Sequence, residues 1–167
     1  VFDLPDLVTL EIHATRVTDA GLDHLAGLTR LETLFLPQGI TDAGLRHLAR
    51  LTRLRRLYLG ARVTGEGFAG LRGLVELEYL GLDGSAITDA GLAHLKVFPR
   101  LRDLRLDGTQ VTDAGLRHLA PLASLTRLDL RGTAITGAGL EVLSDCAGLE
   151  RLDLESTAVT AAGLAPL

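Results

Sequence analysis

Apolar and polar positions alternate in this chain in two rhythms that take turns. Leu101, Leu104 and Leu106 open one stretch. Leu104 and Leu106 stand two apart and share one face of a strand, while Asp103, Arg105 and Asp107 share the other. Gly108-Thr109 turns the chain, and Val111 brings it back inward. Thr112 or Asp113 then serves as an N-cap, with an acidic side chain at the helix's positive end. Leu116 and Leu119 stand three apart on one helical face, and Leu122 closes the return. The pattern predicts a short strand, a turn and a short helix.

The passage repeats along the whole chain. Val-Thr-Asp-Ala-Gly-Leu, or a close variant, begins at Val17, Ile40, Val63, Ile87, Val111, Ile135 and Val159, and its glycines lie 23 or 24 positions apart. A unit that short cannot bury its own apolar face, so the units stack. Each strand is followed by a helical crossover, which makes neighbouring strands parallel. The strand side is narrower than the helical side, so the stack bends into an arc with strands on the inside. Residues 1–167 therefore read as one domain, with units starting at Leu7, Leu31, Leu54, Leu77, Leu101, Leu125 and Leu149. Residues 1–6 read as the tail of a preceding unit, because Val1 and Leu4 fall where Leu25 and Leu28 fall. The last unit stops at Leu167 inside its helical part, and neither end carries a polar cap, which points to a longer protein. Every unit keeps a glycine early in its helix, from Gly21 to Gly163, at about 1 kcal/mol each relative to alanine. That repetition predicts an approach between units closer than a Cβ allows. The units starting at Leu31 and Leu54 are one residue shorter, in the loops Pro37-Gln38-Gly39 and Gly60-Ala61-Arg62.

Composition narrows the function. Hydrophobic residues are 47% of the chain, which argues against disorder, yet polar residues interrupt the leucines too often for a membrane span. A net charge of −4 argues against a general nucleic-acid surface. No charged-then-apolar leader opens the chain, and the expectation leans to a soluble intracellular location. The single Cys146 occupies a leucine column and reads as buried and inert. No phosphate-binding loop, nucleophile elbow or His-Glu-x-x-His motif occurs, so no catalytic, cofactor or metal residues are assigned. His24, His47, His94 and His118 share a helical column without completing ligands and read as half-buried packing. Arg46, Arg50, Arg53, Arg55, Arg56 and Arg62 crowd one stretch but diverge, and read as a solvated surface with several ion pairs.

Taken together, Leu-x-x-Leu-x-Leu-x-Gly-Thr-x-Val-Thr-Asp-Ala-Gly-Leu-x-x-Leu resembles the leucine-rich repeat over nearly the whole chain. Its Thr-Asp-Ala-Gly-Leu half resembles the cysteine-containing subtype of F-box substrate receptors and related bacterial repeats. Where that subtype often has cysteine in the turn, this chain has Thr15, Ser85, Thr109, Thr133 and Thr157; Cys146 matches the subtype's other cysteine column once. No F-box is present. The resemblance implies an α/β solenoid, a right-handed horseshoe of about seven repeats with a parallel concave sheet and convex helices. It also implies binding of a protein or peptide by the concave sheet.

The candidate site lies on that sheet. Of the six Phe and Tyr residues, Phe35, Tyr58 and Tyr79 fall on the concave face in adjacent units, with Phe35 and Tyr58 in one column. With His13, Pro37, Arg56 and Asp83 around them, they have the composition of an interaction hot spot; the plain alternative is aromatic pairing across strands. In the last three units the same positions form a checkerboard, such as Asp103 beside Arg127 and Arg105 beside Asp129, read as mutual neutralisation. The expected function is a non-catalytic interaction module. The alternatives are a recognition arm of a ligase- or kinase-like enzyme and a structural spacer. Apolar stack ends also predict end-to-end association of the isolated chain.

Overall fold

The computed structural model describes residues 4–165. The placement of Val1 and Phe2 and the close of the last unit at Leu167 lie outside them. Seven three-residue strands form one open parallel sheet in chain order: β1 (Thr9–Glu11), β2 (Thr33–Phe35), β3 (Arg56–Tyr58), β4 (Tyr79–Gly81), β5 (Asp103–Arg105), β6 (Arg127–Asp129) and β7 (Arg151–Asp153). The register is the one the leucine spacing dictates. Leu34, Leu57, Leu80, Leu104 and Leu128 lie side by side at the strand centres and are buried. Their neighbours on either side face the concave solvent. The result is a horseshoe-like solenoid with a single continuous core, to which Phe68 and Phe98 contribute fully buried rings.

The convex wall is thinner than the expected row of helices. Four-residue α-helical turns occupy Asp42–Leu45, Asp89–Leu92, Asp113–Leu116 and Gly137–Leu140. The first, third and seventh units use 3-10 turns instead, at Asp19–Leu25, Glu66–Gly70 and Ala161–Leu164. In the second and sixth units the α-helical turn runs straight on into a 3-10 turn, Arg46–Leu48 and Glu141–Asp145.

The Thr-Asp pair at the start of these turns does more than cap a helix. Thr41, Thr112 and Thr136 are the N-caps, accepting from the backbone N–H groups of Ala43, Ala114 and Ala138 at 3.3 Å. The aspartate reaches across to the next unit. Asp19 accepts from the Thr41 N–H at 2.9 Å and its hydroxyl at 2.6 Å. Asp89 holds Thr112 in the same way, at 2.8 and 2.6 Å. Asp113 holds both groups of Thr136. Asp42 takes four bonds, from the N–H and hydroxyl of Thr64 and the N–H groups of Gly65 and Gly67. Burial works against its charged form, but those donors outweigh it, and the carboxyl lies below its usual range.

This clasp explains the glycine column. A Cβ on Gly44, Gly115 or Gly139 would come within 2.4, 2.3 or 2.5 Å of the Oδ1 of Asp19, Asp89 or Asp113. Two of the six junctions lack the carboxylate, because Gly65 and Gly137 stand in its place. There the glycines of adjacent units touch: a Cβ on Gly65 would lie 2.7 Å from the Gly91 Cα, and one on Gly137 2.3 Å from the Gly163 Cα.

The turn column also resolves. Thr109 and Thr133 are buried, and each hydroxyl donates to a backbone carbonyl three residues back, Leu106 and Leu130. A threonine there satisfies itself locally, which suits a buried polar side chain.

Candidate functional site

The side chains on the concave floor are set by strand register. Phe35 and Tyr58 face each other across β2 and β3. Their rings stack at 3.8 Å between centroids with 8° between planes. Tyr79 leads β4 one column away, yet its ring leans back to lie 4.6 Å from that of Tyr58. Gly81 makes the lean feasible. It pairs with Tyr58 in register, and a Cβ on it would come within 3.0 Å of Tyr58 Cδ1 and 3.2 Å of Tyr79 Cε1. His13 closes the other end edge-on to Phe35 at 6.1 Å. At the far end the Arg105 guanidinium lies 5.9 Å from the centre of the Tyr79 ring, within cation–π range.

The stack half-buries its members, so Phe35, Tyr58 and Tyr79 present ring rims rather than open faces to the arc. Burial pushes the Tyr79 phenol up, with Arg105 opposing, so it is neutral at every physiological pH.

The other expected site residues divide. His13 and Arg56 are exposed beside the stack. Asp83 is exposed past the end of β4; desolvation, against the pull of Arg105, and the nearby Asp129 and Asp107 raise its carboxyl above the ordinary value. Pro37 is a correction. The strand pattern puts it on the solvent face, but it is buried. The short loop of the next unit covers it: Gly60 packs onto the Pro37–Gln38 backbone, and the Gln38 side chain accepts from the Ala61 N–H at 2.7 Å. In the longer units Gly84, Gly108 and Gly132 take left-handed φ near 62–64° and donate to the carbonyls of Asp107, Arg131 and Glu155. The rim of the second and third units, which carry Phe35 and Tyr58, is therefore built differently from that of the fourth to sixth.

In the last three units the cross-strand checkerboard holds only in part. Arg127 lies 3.8 Å from Asp103 across β5 and β6. Asp129, however, is taken by Arg131, two residues on and past the end of β6, through a fork at 2.9–3.2 Å, and not by Arg105. Burial disfavours the Asp129 carboxylate, but the Arg131 side chain and backbone N–H overcome this and lower its pKa. Arg131 also reaches Asp153 at 3.8 Å. A hollow of about 560 Å³ sits over this charged floor, and one of about 500 Å³ lies between Tyr58, Tyr79, Arg56 and Arg102.

Elsewhere, expectations meet plainer outcomes. The arginine-rich stretch is exposed, but only Arg55 of the six forms an ion pair among the described residues, with Glu78 at 2.9 Å and Glu76 at 4.0 Å. His47 and His94 are half-buried and approach Asp23 and Glu66, whereas His24 is exposed. Among the described residues no three His, Cys, Asp or Glu side chains cluster as metal ligands. Cys146 is buried, and burial together with Asp145 raises its thiol pKa, which favours the protonated, unreactive form. Among the described residues no helix is long and apolar enough to cross a membrane.

Sequence reasoning put Arg105 in the charged checkerboard rather than at the end of the ring stack, and missed the seat that Gly81 provides and the inter-unit aspartate clasp. The recurrent Thr-Asp pair was the available signal for the clasp, but a local cap explained it equally well.

A family profile described as Leucine Rich repeat matches residues 122–144. Among solved structures, an internalin (InlF) from Listeria monocytogenes superposes with a TM-score of 0.74 at 26% identity. That alignment covers 97% of this chain and 46% of the internalin, so the chain spans less than half of its length. A search of curated proteins gives no match.

Proposed function

We propose, from the premise that this chain is a leucine-rich-repeat protein, that it holds a protein or peptide partner against its concave sheet, anchored on the stack of Phe35, Tyr58 and Tyr79. The fold is in general a protein-interaction module and is typically non-enzymatic. The observation that carries the reading is the continuous row from His13 through the three rings to Arg105 on an otherwise polar floor. Tyrosine and arginine at the centre of a concave patch are the residue types on which binding energy concentrates. Rings already fixed by stacking lose little freedom when a partner arrives.

The test is a peptide-display selection against the immobilised chain. Selected binders should lose about 30-fold in affinity, about 2 kcal/mol, on Phe35→Ala/Tyr58→Ala. Binders that hold the double variant as tightly as the parent place the anchor elsewhere.

The isolated chain also has partners in its own copies. Leu4 and Val8 at one end and Leu164 at the other are exposed apolar side chains, beside strands β1 and β7 that each have one unpaired edge. Such ends join. Sedimentation should show mass rising with concentration; a clean monomer throughout removes this self-association.

A further inference from the structure

Charge on the concave floor is divided across the strands, from start to end. From β3 onward, the two floor positions at the strand starts hold five arginines, Arg55, Arg56, Arg102, Arg127 and Arg151. Only Glu78, Asp103 and Glu150 oppose them there. At the strand ends the balance reverses, with Asp83, Asp107, Asp129, Asp153 and Glu155 against Arg105 and Arg131. The floor thus carries a basic stripe beside an acidic one. The tyrosine rims meet the basic stripe at the hollow of about 500 Å³.

Within that stripe some charges are committed. Arg55 holds Glu78 at 2.9 Å, and Arg127 reaches Asp103 at 3.8 Å. Arg56 and Arg102 both line the hollow, are exposed, and have no carboxylate within 4.0 Å among the described residues. Glu150, the uncommitted carboxylate of the hollow, lies two strands from Arg102, roughly 10 Å, and four strands from Arg56, roughly 19 Å, at the usual strand spacing, and pairs with neither. Arg56 and Arg102 are two strands apart, about 10 Å. A polyproline-II segment brings every third residue to the same face at about 9 Å. Two carboxylates three residues apart on such a segment match the two free guanidiniums. The residues between them meet the rims of Tyr58 and Tyr79, as aromatic-lined grooves receive proline.

We propose that this hollow recognises an extended acidic segment of a partner protein, with acidic side chains three residues apart paired to Arg56 and Arg102 and apolar residues on the tyrosine rims. The inference rests on the concave-face reading and names the partner's chemistry.

The chain offers its own reporter, since it has two tyrosines and no tryptophan, and both tyrosines lie at the hollow. Synthetic (Glu-Pro-Pro)4, (Gln-Pro-Pro)4 and (Lys-Pro-Pro)4 peptides, none of which contains tyrosine, are titrated against the whole chain while its tyrosine emission is followed. The glutamate peptide should give a saturable change that weakens with added salt. Arg56→Gln/Arg102→Gln should raise its Kd about tenfold; circular dichroism checks that these surface variants stay folded. A glutamine or lysine peptide that binds as well overturns the acidic preference and leaves the concave-face reading standing. A glutamate peptide indifferent to the double variant does the same. If no probe binds while display-selected binders still need Phe35 and Tyr58, the acidic segment is again ruled out alone. If those binders also ignore Phe35 and Tyr58, both readings fall.

Discussion

The second to fourth units and the fifth to seventh share one backbone register, yet they finish their concave floors in opposite ways. The first group uses rings that stack on one another, at 3.8 and 4.6 Å. The second uses guanidiniums and carboxylates, of which only the Arg131–Asp129 fork is closely joined. Stacked rings hold their geometry by mutual contact and need no counter-charge. Exposed ion pairs are weak and rearrange easily. One floor is therefore rigid and the other adaptable on the same scaffold. The difference continues on the convex side. Beneath the rings, Asp42 accepts four hydrogen bonds; beneath the charges, Asp113 accepts two.

The sharpest way to break this comparison is at those two carboxylates. Asp42→Ala strands three backbone donors and should lower stability by about 3 kcal/mol, while Asp113→Ala should lower it by about 1 kcal/mol. Urea unfolding measures both, and equal losses would erase the asymmetry. The effect has a pH signature. The folded-state pKa of Asp42 is depressed, so its contribution is present above the unfolded carboxyl value, about 4, and is lost as pH falls through the folded value. Parent and Asp42→Ala should converge in stability in acid; a constant gap argues that the charge is irrelevant.

A smaller effect tests the rings themselves. Gly81→Ala puts a methyl group 3.0 Å from Tyr58 and 3.2 Å from Tyr79. The rings must part, at a net cost of about 1 kcal/mol, with a change in tyrosine emission. Unchanged emission would mean that the stack does not depend on this seat. Smallest of all is the coupling between Asp103 and Arg127, expected at 0.5 kcal/mol or less, roughly the scale of exposed pairs. A double-mutant cycle reads it, and a value above about 1 kcal/mol would show the charged floor to be as fixed as the aromatic one.

Much of this was legible in the sequence, because a repeat reports its own register. Leu34, Leu57 and Leu80 can face only inward, which by spacing alone puts Phe35, Tyr58 and Tyr79 on the floor. What stayed hidden depends on contacts between units. Pro37 is buried because a neighbouring short loop lies over it, and nothing in its own unit reports that. Asp129 faces two arginines in the sequence pattern, and only geometry shows that Arg131, just past the strand, is the one that holds it. The aspartate clasp joins residues 22 or 23 apart that look like a local cap when read singly.

The two junctions closed by glycine instead of carboxylate, at Gly65–Gly91 and Gly137–Gly163, set how the arc would yield under load. Tugged from its ends, the chain should shed the seventh unit first and next part between the third and fourth. Each unit of 24 residues released lengthens the tether by about 80 Å. A force–extension trace would then record, tooth by tooth, where the sequence had left its aspartates out.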